Sequence, residues 1–217
     1  MIKNVIFDLD GTLLDTREGI IESVRYTAQT LGYDELSYEK LLTFVGPPIQ
    51  NSFITHYGCD VDTAQKAADI FRDYYKNKAL FLAVPYDGIY ELCENLQSCG
   101  IKMSVATYKR EDYALTLLRH FYFDKYCTSM HGADNRNHLK KEDIIRICMS
   151  EMNATNEDCV LVGDTDNDAM GANNANTPFI AVTYGFGFKS KGDVEKYPYI
   201  GIACTPQEVF KIISGRS

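Results

Sequence analysis

The stretch "NVIFDLDGTLLDT", residues 4–16, decides how the rest of the chain is read. Its first four residues are an apolar run, and three carboxylates, Asp8, Asp10 and Asp15, follow. Residues two apart on a strand point to the same face, so Asp8 and Asp10 stand side by side. Two like charges that close repel unless a cation or a proton lies between them. The segment therefore calls for a metal ion, a shared proton or a solvated loop. Runs such as "NVIF", and later "CVLV" (159–162), also suit strands buried on both faces, the habit of a parallel sheet covered by helices on both sides.

Downstream of this stretch the chain changes grammar twice. Residues 17–32, 37–46, 48–58 and 61–80 have helical spacing, with Asp62 or Thr63 as the N-cap of the last and no strand-like alternation. From Val84 onward helices and strands alternate. Helices are expected over 87–100, 111–121, 141–152, 166–175 and 206–214. Strands are expected over 101–108, near 125–130, and over 158–164 and 179–185. The expected architecture is a Rossmann-like α/β core of 1–15 plus 85–217, with helices on both faces of a parallel sheet, and an all-helical insert at 16–84.

Composition narrows the class. The 217 residues are 45% hydrophobic and 24% charged, ordinary for a globular protein. A net charge of −8 disfavours general affinity for nucleic acid or an anionic membrane. An anionic substrate stays open, because a divalent cation and a few lysines reverse the sign inside a pocket. No long apolar run predicts a membrane span, and "MIKNVIFDLD" lacks a signal peptide's apolar core. Seven scattered cysteines, never spaced CxxC, suit buried thiols in a reducing cytoplasm.

Polar groups gather where strands end, which is where parallel sheets place function. Asp8 and Asp10 close the first strand, Thr107 closes "MSVAT", and "GDTDND" (163–168) closes "CVLV"; Lys140 and Lys141 open a helix. Carboxylates at such an edge suit Mg²⁺, which takes oxygen ligands. Each signal has a plainer reading when taken alone. A lone DxD is more often a solvated turn, Thr107 an ordinary strand-end residue, and Asp15 a helix cap or a residue that orients the hinge. The four histidines show no ligand spacing.

Taken together and in order, "DLDGTLLDT", "VATYK", "LKKEDII" and "VGDTDNDAMGA" resemble the four motifs of the haloacid dehalogenase-like (HAD) superfamily. A helical insert just after the first motif resembles the C1-cap subgroup, and "GDTDNDAMGANNANTPFIAVTYGFG" the phosphoglycolate-phosphatase branch. The resemblance implies that Asp8 is a nucleophile forming an aspartyl-phosphate and that Asp10 is the general acid, then base. It implies that Thr107 and Lys141 hold the phosphoryl group, Tyr108 lying beside them, with Lys141 preferred over Lys140 for its spacing to Ile144 and Ile145. Asp8, the backbone carbonyl of Asp10, Asp164 and, through water, Asp168 would hold Mg²⁺. The amides of Gly11 and Thr12 would face the anion. The loop at Gly46-Pro47-Pro48 would help choose the substrate, and Arg17 and Arg110 would meet a second anionic group.

The activity so implied is Mg²⁺-dependent hydrolysis of a small phosphorylated metabolite, by a cytoplasmic monomer or homodimer. Phosphoglycolate comes first, with nucleoside monophosphates (a 5'-nucleotidase) and sugar phosphates behind. Two alternatives are a β-phosphoglucomutase-type phosphotransferase and a non-catalytic binding protein. The second aspartate of the first motif argues against a dehalogenase.

Overall fold

The structure, a computed structural model, describes residues 1–47, 49–134 and 138–215. The chain divides into two compact units: Met1–Asp15 with Pro85–Ser217, and Thr16–Val84. Strands β1 (Asn4–Phe7) and β2 (Leu14–Asp15) come first. Helices α1 (Arg17–Leu31), α2 (Tyr38–Leu42), α3 (Ile49–Tyr57) and α4 (Val61–Tyr74) follow, α4 running on into a π-helical turn over Tyr75–Ala79. After β3 (Val84–Pro85) come α5 (Ile89–Ser98), β4 (Lys102–Arg110), α6 (Glu111–His120), β5 (Cys127–Ala133) and α7 (Lys141–Met152). The chain then continues through β6 (Cys159–Gly163), α8 (Asp166–Asn174), β7 (Phe179–Val182), α9 (Lys191–Val194), β8 (Gly201–Ala203) and α10 (Pro206–Ser214).

The helical unit closes around its own core. Ile21 and Val24 of α1, Leu41 of α2, Phe53 of α3, and Ala64 and Ala67 of α4 are buried together, with Phe44 edge-on to Phe53 at 5.4 Å. The small residues of α4 let α1 and α3 approach it closely. The N-cap of α4 is Asp60, whose carboxylate accepts the Thr63 N–H at 2.8 Å. This corrects the expected cap at Asp62 or Thr63. The segment Asp60-Val61-Asp62-Thr63 offers three capping residues within four positions, and the tertiary start of the helix selects among them.

In the larger unit six strands form one parallel sheet, ordered β5-β4-β1-β6-β7-β8. Counting these strands along the chain, that is the 3-2-1-4-5-6 order of a Rossmann sheet. Ile6, Leu161, Phe179 and Ala181 pack with Ile144, Ile145 and Cys148 of α7 and Ala169 and Ala172 of α8. The alternate residues Val5, Phe7, Val160 and Val162 are also at most 1% exposed, so the opposite face is covered as well. Helix α5 packs on β4 and α10 on β8, and the two helices pack on each other. Burial on both faces is why these strands read as unbroken apolar runs.

Several boundaries differ from expectation. The strand expected near 125–130 is preceded by a 3₁₀ turn (Phe123–Lys125) and runs Cys127–Ala133. The strand expected to reach 185 ends at Val182, because the chain then turns back toward the first motif. α2 covers only 38–42 of the expected 37–46. α9 and β8 are additions. Among the described residues no helix is long and apolar enough to cross a membrane. All seven cysteines are free thiols.

Candidate active site

Register alone brings the motif residues to one edge of the sheet. Phe7 of the central strand β1 pairs with Val105 of β4 on one side and with Val162 of β6 on the other. Asp8 therefore leaves β1 at the level where Asp164 leaves β6 and Thr107 approaches the end of β4. The direction of strand addition reverses between β1 and β6, so Asp8 and Asp164 flank the switch point where open α/β sheets bind ligands.

Three carboxylates converge there. Asp8, Asp164 and Asp168 are buried and each offers an oxygen within 4.8 Å of the others. The Lys141 ammonium lies among them, 2.6 Å from Asp8 Oδ1 and 2.7 Å from Asp168 Oδ1, with its side chain 2% exposed. Lys140, next to it, is the exposed N-cap of α7, its N–H bound by Asp143 at 3.0 Å. Lys141 shares its helix face with Ile144 and Ile145, both fully buried, which turns its stem toward the sheet.

Charge in this cluster does not balance by itself. Burial pushes the Asp8 carboxyl well above the usual carboxylate range, and the charges of Asp168 and Asp164 add to the push against Lys141. Burial and Asp168 raise Asp164 to about 7, despite two backbone N–H donors. Burial works against the Lys141 ammonium, but Asp168 and Asp8 more than reverse it and hold it above its ordinary value. Three buried carboxylates facing one ammonium, all donors being hard oxygens, fit a divalent cation of the magnesium kind.

Each acid is oriented by its neighbours. Asp168 and Thr165 form a reciprocal cap at the start of α8: Asp168 Oδ2 accepts the Thr165 N–H at 3.0 Å and its hydroxyl at 2.6 Å. With Oδ1 on Lys141, both oxygens of Asp168 are engaged. Asp164 Oδ2 accepts the Phe186 and Gly187 N–H groups, and Oδ1 lies 3.4 Å from the Thr12 hydroxyl. Asp10, at the mouth of the cluster, pairs with Lys109 Nζ at 3.0 Å. The Thr107 hydroxyl accepts the Lys109 N–H at 3.1 Å, and Tyr108 points outward, 45% exposed.

The expected role of the Gly11 and Thr12 amides is corrected. The Gly11 N–H donates to the Leu14 carbonyl at 2.9 Å and the Thr12 N–H to the Leu9 carbonyl at 3.3 Å. These amides close the turn after Asp10 instead of lying open to an anion. The role of Gly11 is steric: φ is +88°, and a Cβ would collide with the Asp164 carboxylate. The N-cap of α1 is Thr16 and not Asp15, which belongs to β2. Arg110 is held by Asp112 at 2.6 and 2.5 Å and lies over the Tyr113 ring. Gly46, with φ +105°, belongs to the helical unit, and Pro47 and the first residue of α1, Arg17, belong to it too; Pro48 lies outside the described residues. Sequence pattern does not single out Thr165 or Lys109, although the T-x-x-D spacing ahead of α8 is a signal for Thr165.

Fold and site together define an α/β enzyme with an acidic, lysine-bearing centre at the carboxyl edge of its sheet. A family model for haloacid dehalogenase-like hydrolase matches residues 5–182. The 5'-nucleotidase of Pseudomonas aeruginosa is 37% identical over 187 residues, 85% of this chain and 84% of that protein. Pyrophosphatase PpaX of Halalkalibacterium halodurans is 28% identical over 184 residues, 84% of each chain. The crystal structure of "a predicted phosphatase from Clostridium acetobutylicum" aligns over 99% of both chains, with a TM-score of 0.87 and 36% identity. The chain belongs to the haloacid dehalogenase-like hydrolase family, and these similar proteins carry phosphatase, nucleotidase and pyrophosphatase names.

Proposed function

We propose that this hydrolase is a magnesium-dependent, cytoplasmic phosphatase that cleaves a small phosphomonoester through an aspartyl-phosphate on Asp8. The observation that carries the reading is the buried Lys141, bridging Asp8 and Asp168 with Asp164 alongside. Free thiols throughout the chain support a reducing compartment. Identity to a 5'-nucleotidase over most of both chains favours a nucleoside monophosphate as substrate, ahead of phosphoglycolate and sugar phosphates.

Lys141 fixes Asp8 Oδ1 and leaves the other carboxylate oxygen to attack phosphorus. The bond from phosphorus to the ester oxygen breaks, and its electron pair leaves with that oxygen. Asp10 supplies the proton the leaving oxygen takes up, which requires its carboxyl to exchange Lys109 for the ester. Asp10 then takes a proton from water, whose oxygen attacks phosphorus and restores Asp8 as phosphate departs. Thr107 and Lys141 hold phosphoryl oxygens during both steps. Asp8, Asp164 and the Asp10 carbonyl would hold magnesium, with Asp168, both oxygens already engaged, contributing through water. When bound, the ion supplies the positive charge that offsets the carboxylates and the phosphoryl oxygens. The helical unit, inserted directly after Asp15, is the segment that the proposed reading assigns as a cap, which would restrict the substrate to small molecules.

A panel of phosphorylated metabolites, assayed for phosphate release with Mg²⁺ and with EDTA, tests this function. Release from nucleoside monophosphates that stops with EDTA is expected. Turnover that persists without divalent cation contradicts the mechanism, and isomerisation of a sugar 1-phosphate without phosphate release would instead favour the phosphotransferase.

The raised carboxyl of Asp164 gives a second expectation. A carboxyl whose folded pKa lies above its unfolded value contributes stability that is complete below about 3.8 and lost as pH rises through about 7. The metal-free protein should therefore melt at lower temperature at pH 8 than at pH 5.5. Magnesium at about 100 times its Kd should add ~2.7 kcal/mol, or about 5–10 °C, at pH 8 and clearly less at pH 5.5, where it competes with protons. Differential scanning calorimetry with and without EDTA at the two pH values measures this.

A further inference from the structure

The loop leaving β7 has no part in the reaction described above, yet it touches the acidic centre at several points. The Phe186 and Gly187 N–H groups donate to Asp164 Oδ2 at 2.6 and 3.1 Å, and the Phe188 N–H donates to the Asp164 carbonyl at 2.8 Å. The Tyr184 phenol donates to the Thr12 carbonyl at 3.1 Å, and the Lys189 ammonium donates to the Gly185 carbonyl. The fit is close. A Cβ on Gly187 would lie 2.5 Å from the Asp164 carbonyl oxygen, and one on Gly185 would run into the Gly11 carbonyl and the Asp164 carboxylate.

Two backbone donors on one oxygen fix the rotation of the Asp164 carboxylate and occupy the lone pairs of Oδ2. Oδ1, by contrast, has the Thr12 hydroxyl at 3.4 Å. Tyr184 ties this loop to the 9–14 turn, which carries Asp10 and contacts Asp164 through Thr12 and Gly11. We propose that residues 184–187 are a clamp presenting Asp164 to magnesium through Oδ1 alone, and that Tyr184 is the positioning residue that locks the clamp to the first-motif turn. The proposal rests on the magnesium-dependent reading above. Its physical basis is the narrow geometry magnesium accepts, with short bonds in a near-ideal octahedron, so that a small displacement of one ligand-bearing segment against another costs affinity. Partners that orient a ligand typically change metal affinity by about 10–100-fold when removed.

The test is a calorimetric titration of MgCl₂ into chelator-stripped protein, wild type against Tyr184→Phe and Gly187→Ala. Phenylalanine keeps the ring that packs on Tyr86 at 4.9 Å and removes only the phenolic donor. Tyr184→Phe is expected to raise the magnesium Kd by about tenfold, while its melting temperature without metal moves by about 4 °C or less. The magnesium concentration for half-maximal phosphate release should rise in the same proportion, and the rate lost at low magnesium should return as the ion is raised. Gly187→Ala, which displaces an amide donor from Asp164, should weaken magnesium at least as much; if it does not fold, Tyr184→Phe decides alone. Wild type binding magnesium while Tyr184→Phe binds it equally tightly overturns the clamp and leaves the phosphatase reading intact. A rate loss that excess magnesium does not recover also overturns it. Wild type that takes up no magnesium overturns the phosphatase reading itself.

Discussion

Asp8→Asn is expected to abolish phosphate release, by at least about 10⁴-fold, and still to leave the metal-free protein at least as stable as wild type. The first half follows from losing the attacking oxygen, for which an amide is no substitute. The second half follows from the direction of the Asp8 shift. Burial and the neighbouring acids raise its carboxyl well above the unfolded value. The stability tied to its proton is thus complete below the unfolded value and lost as pH rises through the folded one. At pH 8 in EDTA, far above the unfolded value, this raised carboxyl is a cost, and asparagine removes it while Lys141 keeps Asp168 at 2.7 Å. A melting curve in EDTA beside a phosphate-release assay measures both halves. A variant that is inactive because it has lost ten degrees would contradict the account, since the carboxylate would then be holding the fold together.

Lys141→Met should behave in the opposite way, losing stability as well as activity. Methionine replaces most of the stem, but three buried carboxylates then face one another without their ammonium. Removing one partner from a buried charge network costs about 3–5 kcal/mol. For a chain of this size that lowers the melting temperature by about 6–20 °C. Turnover should fall by about 10²–10³-fold or more, as expected when a fixed charge aimed at a transferring group is lost. Lys140→Met is the control, an exposed substitution expected to stay within about 0.5 kcal/mol of wild type. Equal effects from the two lysines would contradict the assignment of the buried one.

Much of the sheet is legible in the sequence because β1 and β6 are buried on both faces and therefore read as unbroken apolar runs. Strand β8 is not legible: Gly201–Ala203 is three residues long, and its partner Ile180 lies about twenty residues upstream. Its evidence is a pairing, which no short window contains. The early end of β7 has a similar cause, since residues after Val182 leave the sheet to reach Asp164 and Thr12. At the site, residue types and motif order announce Asp8, Asp164, Asp168 and Lys141. What they cannot announce is which hydrogen bonds the backbone makes at close range. Gly11 and Thr12 therefore read as anion-facing amides when their N–H groups close a turn. Lys109 likewise reads as a flanking residue, and only the curl of the chain after Asp8 brings its ammonium to Asp10.

The most direct test of the account is to quench the enzyme in acid during turnover and map the phosphorylated peptide by mass spectrometry. One phosphoryl group is predicted on the peptide that carries Asp8, formed only with magnesium present and absent from Asp8→Asn. Steady turnover with no phosphorylated aspartate, or with the phosphoryl group on another residue, would contradict it.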